Sequence, residues 1–175
     1  MHLFSGNALG AVGAEGEIRL PPFVLKVLAR RAAEGRILFG AHESAPCLTA
    51  FDAGYLPVIG DEVERLKRRD EAREETGHAD RARRAFGLTE EADVDAAGRV
   101  ALPPFLRRKG RIGARALFVG TGGTVEIWDA ELALTADDPA LRELAHYRLQ
   151  EDDKEEDDGH DVRDRRPRSG AARSL

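Results

Sequence analysis

The chain has 175 residues, 42% of them hydrophobic, with 27 Lys and Arg against 32 Asp and Glu and a formal net charge of -5. That is enough apolar material for a buried core in one domain or two small fused halves, and no run approaches the roughly 18 apolar residues of a membrane span. The N-terminus lacks the basic and apolar regions of a secretion signal and the one cysteine, Cys47, excludes an intrachain disulfide or a cysteine-cluster metal site, so the expectation is a soluble, cytoplasmic protein with no membrane partner.

The elements come as two copies of one order. Phe4, Val12, Gly16, Leu20, Pro21, Pro22 and Phe23 return 82 positions later as Phe86, Val94, Gly98, Leu102, Pro103, Pro104 and Phe105. Two copies are too few for a solenoid, so the repeat implies a pseudo-symmetric pair sharing one core. In the first copy Gly13-Ala14-Glu15-Gly16 is a turn with glycine at its closing position. The strand that follows alternates, sending Ile18 and Leu20 to the core and Glu17 and Arg19 to the exposed face. Pro21-Pro22 ends that strand and starts an amphipathic helix over Phe23–Arg31. Two strands follow, Arg36–Gly40 and Leu48–Asp52, the second ending in an acidic helix start.

Between the copies, residues 61–85 hold eight acids and eight bases around a sparse Val63, Leu66 and Ala72. The pattern predicts an exposed helix supported by pairs three or four residues apart, with Gly77 as a possible break. It would connect the halves across a sheet edge or contribute to contacts between protomers.

In the second copy Asp95-Ala96-Ala97-Gly98 reads as a hairpin reversal between Ala92–Val94 and Arg99–Leu102. Asp95 opens it by accepting a backbone N–H, and Gly98 closes it. Arg99 stands where the first copy has Glu17. The helix Phe105–Arg111 carries four cations in seven residues, and the strands Ala116–Gly120 and Val125–Asp129 complete the copy. A C-terminal helix is expected over 135–150, capped by Thr135 or Asp137, with Leu141, Leu144, Ala145 and Leu149 on one stripe. Residues 151–175 hold nine acids and six Lys or Arg and read as a disordered, charged tail, acidic from Glu151 to Asp158 and basic from Arg163 to Arg173. Without that tail the chain is nearly neutral, 23 acids against 21 bases, so a local basic face is compatible with the negative total.

Enzyme chemistry finds little support. Gly120-Thr121-Gly122-Gly123 lies between two strands with no Lys-Ser or Lys-Thr after it, which makes it a hairpin rather than a phosphate loop. The five histidines, His2, His42, His78, His146 and His160, are scattered without ligand spacing, and His42 reads as a solvated loop residue. No metal and no cofactor is expected.

The ordered repeat, with Phe4-Ser5-Gly6, the turn at Gly16, Asp95-Ala96-Ala97-Gly98-Arg99, Leu102-Pro103 and Glu126-Ile127-Trp128-Asp129, resembles the MraZ family over residues 4 to 134. Each half of that family is similar to the AbrB-type swapped-hairpin module. The resemblance implies an α+β fold with halves at 4–54 and 86–134 joined by 55–85. It implies a nucleoid-associated bacterial regulator of transcription that forms a ring-like homo-oligomer and binds double-stranded DNA. The expected target is short direct repeats upstream of the cell-division and cell-wall gene cluster, and the turn arginine of each half would face DNA. The expected DNA-binding residues are Arg99, Arg19, Arg107, Arg108, Lys109, Arg111, Lys26 and Arg30, presented by the turn residues Gly16, Asp95 and Gly98. Cations of this kind contact mainly phosphate, and an arginine can also read guanine bidentately. Because Glu17 replaces the first-half arginine, the alternative is an oligomeric interaction protein of the same fold with lost or weakened DNA binding. A more distant option is an antitoxin-type AbrB relative.

Overall fold

The computed structural model describes residues 2–31, 33–73 and 76–164, with the side chains of the last helix as far as Glu155. Strand β1 (Asn7–Ala11) enters the first turn, which is closed by Gly16 N–H to Gly13 O at 2.9 Å and Gly13 N–H to Glu17 O at 2.8 Å. Gly16 sits at φ +92°, a conformation open to glycine and strained for other residues. Strand β2 (Glu17–Arg19) follows, then α1 (Pro22–Arg30), β3 (Arg36–Ala41) and β4 (Cys47–Phe51). After a 3₁₀ turn at Ala53–Tyr55, α2 (Leu56–Ala72) and α3 (His78–Ala82) stand where the charge pattern predicts one exposed helix. Gly77 takes φ +115° at the break, and a π-helical turn at Arg83–Gly87 leads out. The second half then runs through β5 (Thr89–Asp93), β6 (Arg99–Ala101), α4 (Pro104–Lys109), β7 (Arg115–Gly120) and β8 (Val125–Asp129). Helices α5 (Ala130–Ala133) and α6 (Pro139–Asp164) complete the chain.

The architecture is α+β, and the two halves are interleaved. One antiparallel sheet has the order β1-β7-β8-β4-β3-β5, and β2 and β6 form a separate two-stranded ribbon. The first strand of each half thus leaves its own hairpin and pairs with the hairpin of the other, Ala8 opposite Phe118 and Ala92 opposite Ile37. A pseudo-two-fold axis relates the halves. It passes through the β4–β8 pair, where Thr49 faces Glu126, and through the ribbon, where Ile18 faces Val100. The reversal at Asp95–Gly98 is present, closed by Gly98 N–H to Asp95 O at 2.9 Å, but it does not open into a hairpin ladder. One bond, Asp95 N–H to Arg99 O at 2.9 Å, precedes the parting of the strands, and the ribbon then ends on the glycines of opposite turns: Leu20 N–H bonds Gly98 O and Leu102 N–H bonds Gly16 O.

Period-two alternation divides the sheet residues between two cores. Ile37, Phe39, Leu48, Ala50, Ala116, Phe118, Val125 and Ile127 face inward and meet Ile18, Leu20, Val100 and Leu102 of the ribbon, with Val24, Leu28 and Leu106 from α1 and α4. Full burial of each large aliphatic among them is worth about 1.5–3 kcal/mol. On the other face Cys47, Leu117 and Trp128 pack under Ala130 and Ala133 of α5 and Leu141, Ala145 and Leu149 of α6. Cys47 is packing, as expected; burial pushes its thiol far above the usual range.

The structure differs from the sequence expectation at three places outside the turns. Phe4 and Phe86 match in sequence but not in environment. Phe4 is 1% exposed and bridged to Gly122, whereas Phe86 lies in the π-helical turn, 43% exposed. The last helix is started by Asp138, whose carboxylate accepts from Ala140 N–H at 2.9 Å, while the Thr135 hydroxyl turns back to Leu132 O. That helix also continues through the whole acidic block and into the start of the basic segment, as far as Asp164. Arg115 explains the first turn of this extension, because its guanidinium bonds Asp153 at 2.8 Å, Asp152 at 3.3 Å and Glu131 at 2.6 Å. Those carboxylates raise its pKa above the ordinary arginine value. Residues 165–175, which include most of the expected basic segment, lie outside the described residues.

Candidate functional site

The exposed face of the ribbon carries Glu17, Arg19, Arg99 and Ala101, because Ile18 and Val100 take the buried side. Antiparallel pairing about Ile18 and Val100 puts Arg19 directly opposite Arg99 and Glu17 opposite Ala101. Arg19, from the first half, is therefore a neighbour of the second-half turn. Its Nε donates to Ala97 O at 3.1 Å, away from Glu17, so the exposed Glu17–Arg19 pair that alternation allows does not form. Arg99 donates through Nε to Asp95 Oδ2 at 2.8 Å.

Asp95 organises this turn as its position predicts. Its Oδ1 accepts from Ala97 N–H at 2.9 Å and Arg99 N–H at 2.8 Å, and Gly98 closes the reversal at φ +76°. The Arg99 N–H bond, followed by the Arg99 side chain, holds the Asp95 carboxyl below its ordinary value of 3.8. With Asp95 offsetting only part of one charge, two exposed arginines face one another across a two-stranded ladder. That arrangement destabilises the free ribbon, and a polyanion on this face would relieve it.

The first turn is equipped differently. Arg107, the counterpart of Leu25 across the pseudo-two-fold axis, packs its Cδ against Gly16, as Leu25 packs against Gly98. Its guanidinium donates to Ala14 O at 2.8 Å and Ile112 O at 3.2 Å, so this half-buried cation fastens the turn to α4. Ala14, Glu15, Arg107, Arg108 and Arg111 line an open cleft there. Arg111 has φ +55° just beyond the end of α4, a left-handed backbone that carries its side chain round to the cleft. Of the remaining expected residues, Lys26 is exposed on α1 at the position equivalent to Arg108. Lys109 lines a cavity of about 520 Å³ beside Val58, Ile59, Val63 and Leu66 of α2, and Arg30 lines a hollow near His2 and Tyr55. The structure thus gathers Arg19 with Arg99 at one turn and Arg107, Arg108 and Arg111 at the other, and it separates Lys109 and Arg30 from both.

Two groups escape sequence reading. Arg31 is nearly buried and bonds Asp52 at 2.7 Å, Gly123 O at 3.1 Å and the carbonyl of His2, with its guanidinium 4.5 Å over the Phe4 ring. It ties the N-terminus and the first half to the hairpin tip of the second. No local pattern announces this, because Gly123 is far away in sequence. His42 is half-buried rather than solvated. Its Nδ1 accepts from Ser44 and Ala45 N–H, while Nε2 lies 3.7 Å from Glu126, which also takes the Trp128 indole N–H at 2.8 Å. Among the described residues no three His, Cys, Asp or Glu side chains are placed to hold a metal ion, and no helix is long and apolar enough to cross a membrane.

No family model matches the chain. It is nevertheless similar to three curated proteins, each named Transcriptional regulator MraZ. The relative from Paraburkholderia xenovorans is 28% identical over 81% of this chain and 92% of its own length. That from Saccharophagus degradans is 31% identical over 74% and 84%, and that from Shewanella amazonensis 30% over 73% and 80%. At 30% identity or more over about three quarters of the chain, these last two matches show that the chain belongs to the MraZ family.

Proposed function

We propose that this protein is a DNA-binding transcriptional regulator, a repressor that meets double-stranded DNA with the β2–β6 ribbon. The observation that carries the reading is the opposition of Arg19 and Arg99 on an exposed face. A pairing that destabilises the free protein is useful where a polyanion completes it. The names of the relatives support the regulatory role. The target is short direct repeats upstream of the cell-division and cell-wall gene cluster, and the site of action is the cytoplasmic nucleoid. A ring-like homo-oligomer would multiply a small set of cations per protomer, since each docked protomer holds the next at high effective concentration.

Glu17 motivates a second reading, an oligomeric interaction protein of the same fold with DNA binding lost. A shift assay on a duplex with spaced direct repeats, run at two salt concentrations, separates the two. Binding that weakens steeply as salt rises supports the regulator, because phosphate contacts are driven by counterion release, which added salt makes less favourable. Absence of binding at low salt refutes it.

A further inference from the structure

Resting on the reading above, we infer that the protomer docks on DNA through its second turn alone, so that the pseudo-symmetric module has one DNA-contacting end and one end that stands off. A strictly symmetric ribbon would present two equal turns. Here the outward positions are Arg19 and Arg99 at the second turn, against Glu17 and Ala101 at the first. The loop of the first turn adds the exposed Glu15, where the second has Ala97. Of the cations near the first turn, Arg107 is half-buried and committed to the carbonyls of Ala14 and Ile112, and Arg108 and Arg111 share an open cleft with the acidic Glu15. A phosphate backbone approaching the first turn would meet the exposed Glu15 and Glu17, and the opposing fields orient the encounter before contact.

The chain is suited to a direct test, because its one native cysteine is 2% exposed with a thiol pushed up by burial, so an added surface cysteine is labelled selectively. Ala14 and Ala96 occupy equivalent places in the two turns and both are exposed. Ala14→Cys and Ala96→Cys would each carry a photoactivated crosslinker and be mixed, as full chains, with the duplex carrying spaced direct repeats at low salt. The expected result is crosslinking from Ala96→Cys and none above background from Ala14→Cys. Crosslinking of similar yield from both overturns the one-ended contact while leaving DNA binding by the ribbon intact, and crosslinking from neither, with binding retained, overturns the ribbon itself. Failure of the unlabelled protein to bind at all overturns the regulator reading beneath it. A second arm measures salt dependence. Arg99→Gln should reduce the slope of log affinity against log salt by about 0.9, with Arg108→Gln and Arg111→Gln leaving it unchanged; equal effects would place DNA at both ends.

Discussion

Arg19→Gln separates the two effects of a charge on this ribbon. In the free protein Arg19 and Arg99 occupy paired positions. The change removes their repulsion and keeps an amide donor for the Ala97 carbonyl, 3.1 Å from the present Nε. Unfolding free energy should rise by about 0.2–1 kcal/mol, toward the low end because Asp95 already offsets part of Arg99. On DNA the sign reverses. Loss of one phosphate contact lowers the salt slope by about 0.9, and because the counterion term grows as salt falls below 1 M, the affinity near 0.1 M should drop about eightfold. Urea denaturation gives the first quantity and fluorescence anisotropy at several salt concentrations the second. A variant destabilised by more than about 1 kcal/mol with unchanged affinity would refute the reasoning, since it would make Arg19 a structural residue.

Three further outcomes are expected. Arg31→Met leaves the buried Asp52 carboxylate without its cation and should cost about 3–5 kcal/mol. Adding Asp52→Asn should recover a large part of that in thermal unfolding; no recovery would mean that the contacts to the His2 and Gly123 carbonyls carry the stabilisation. Gly98→Ala would place a Cβ 2.7 Å from Leu25 at φ +76° and should cost about 1–3 kcal/mol or more. Gly16→Ala, where the nearest atom is Arg107 Cδ at 3.3 Å, should cost less, and equal melting temperatures for the two would show that Leu25 yields freely. Asp95, held below 3.8 in the folded state, contributes stability that is complete above that value and is lost as pH falls through the lower folded pKa. A carboxyl titration followed by NMR should therefore find Asp95 below 3.8 and, in Arg99→Ala, closer to it. A titration unmoved by the substitution would assign the shift to the backbone bonds alone.

Local features of the fold were legible in the sequence because each rests on neighbouring residues. Asp95 and Gly98 specify their turn, Pro22 and Pro104 start their helices, and alternation assigns Ile18 and Val100 to the core. Strand partners were not, because a period of two says which face is buried but not which strand lies beside it. The hairpin expected after Asp95 failed for that reason, since β5 and β6 each find a longer ladder in the other half. The juxtaposition of Arg19 with Arg99 was within reach: once the halves are related by a two-fold axis at Ile18 and Val100, antiparallel pairing requires it. The first turn of the helix past Gln150 is held by Arg115, an attachment that composition cannot register.

The interleaving also bears on how the two turns came to differ. If two separate identical chains wound together in this way, any change at one turn would appear at the other, and a residue harmful to either would be removed from both. Here a single continuous chain supplies both copies while the sheet still requires each to complete the other. Covalent joining has thereby freed the turns from having to match, so that Glu17 can occupy one and Arg99 the other without disturbing the shared core.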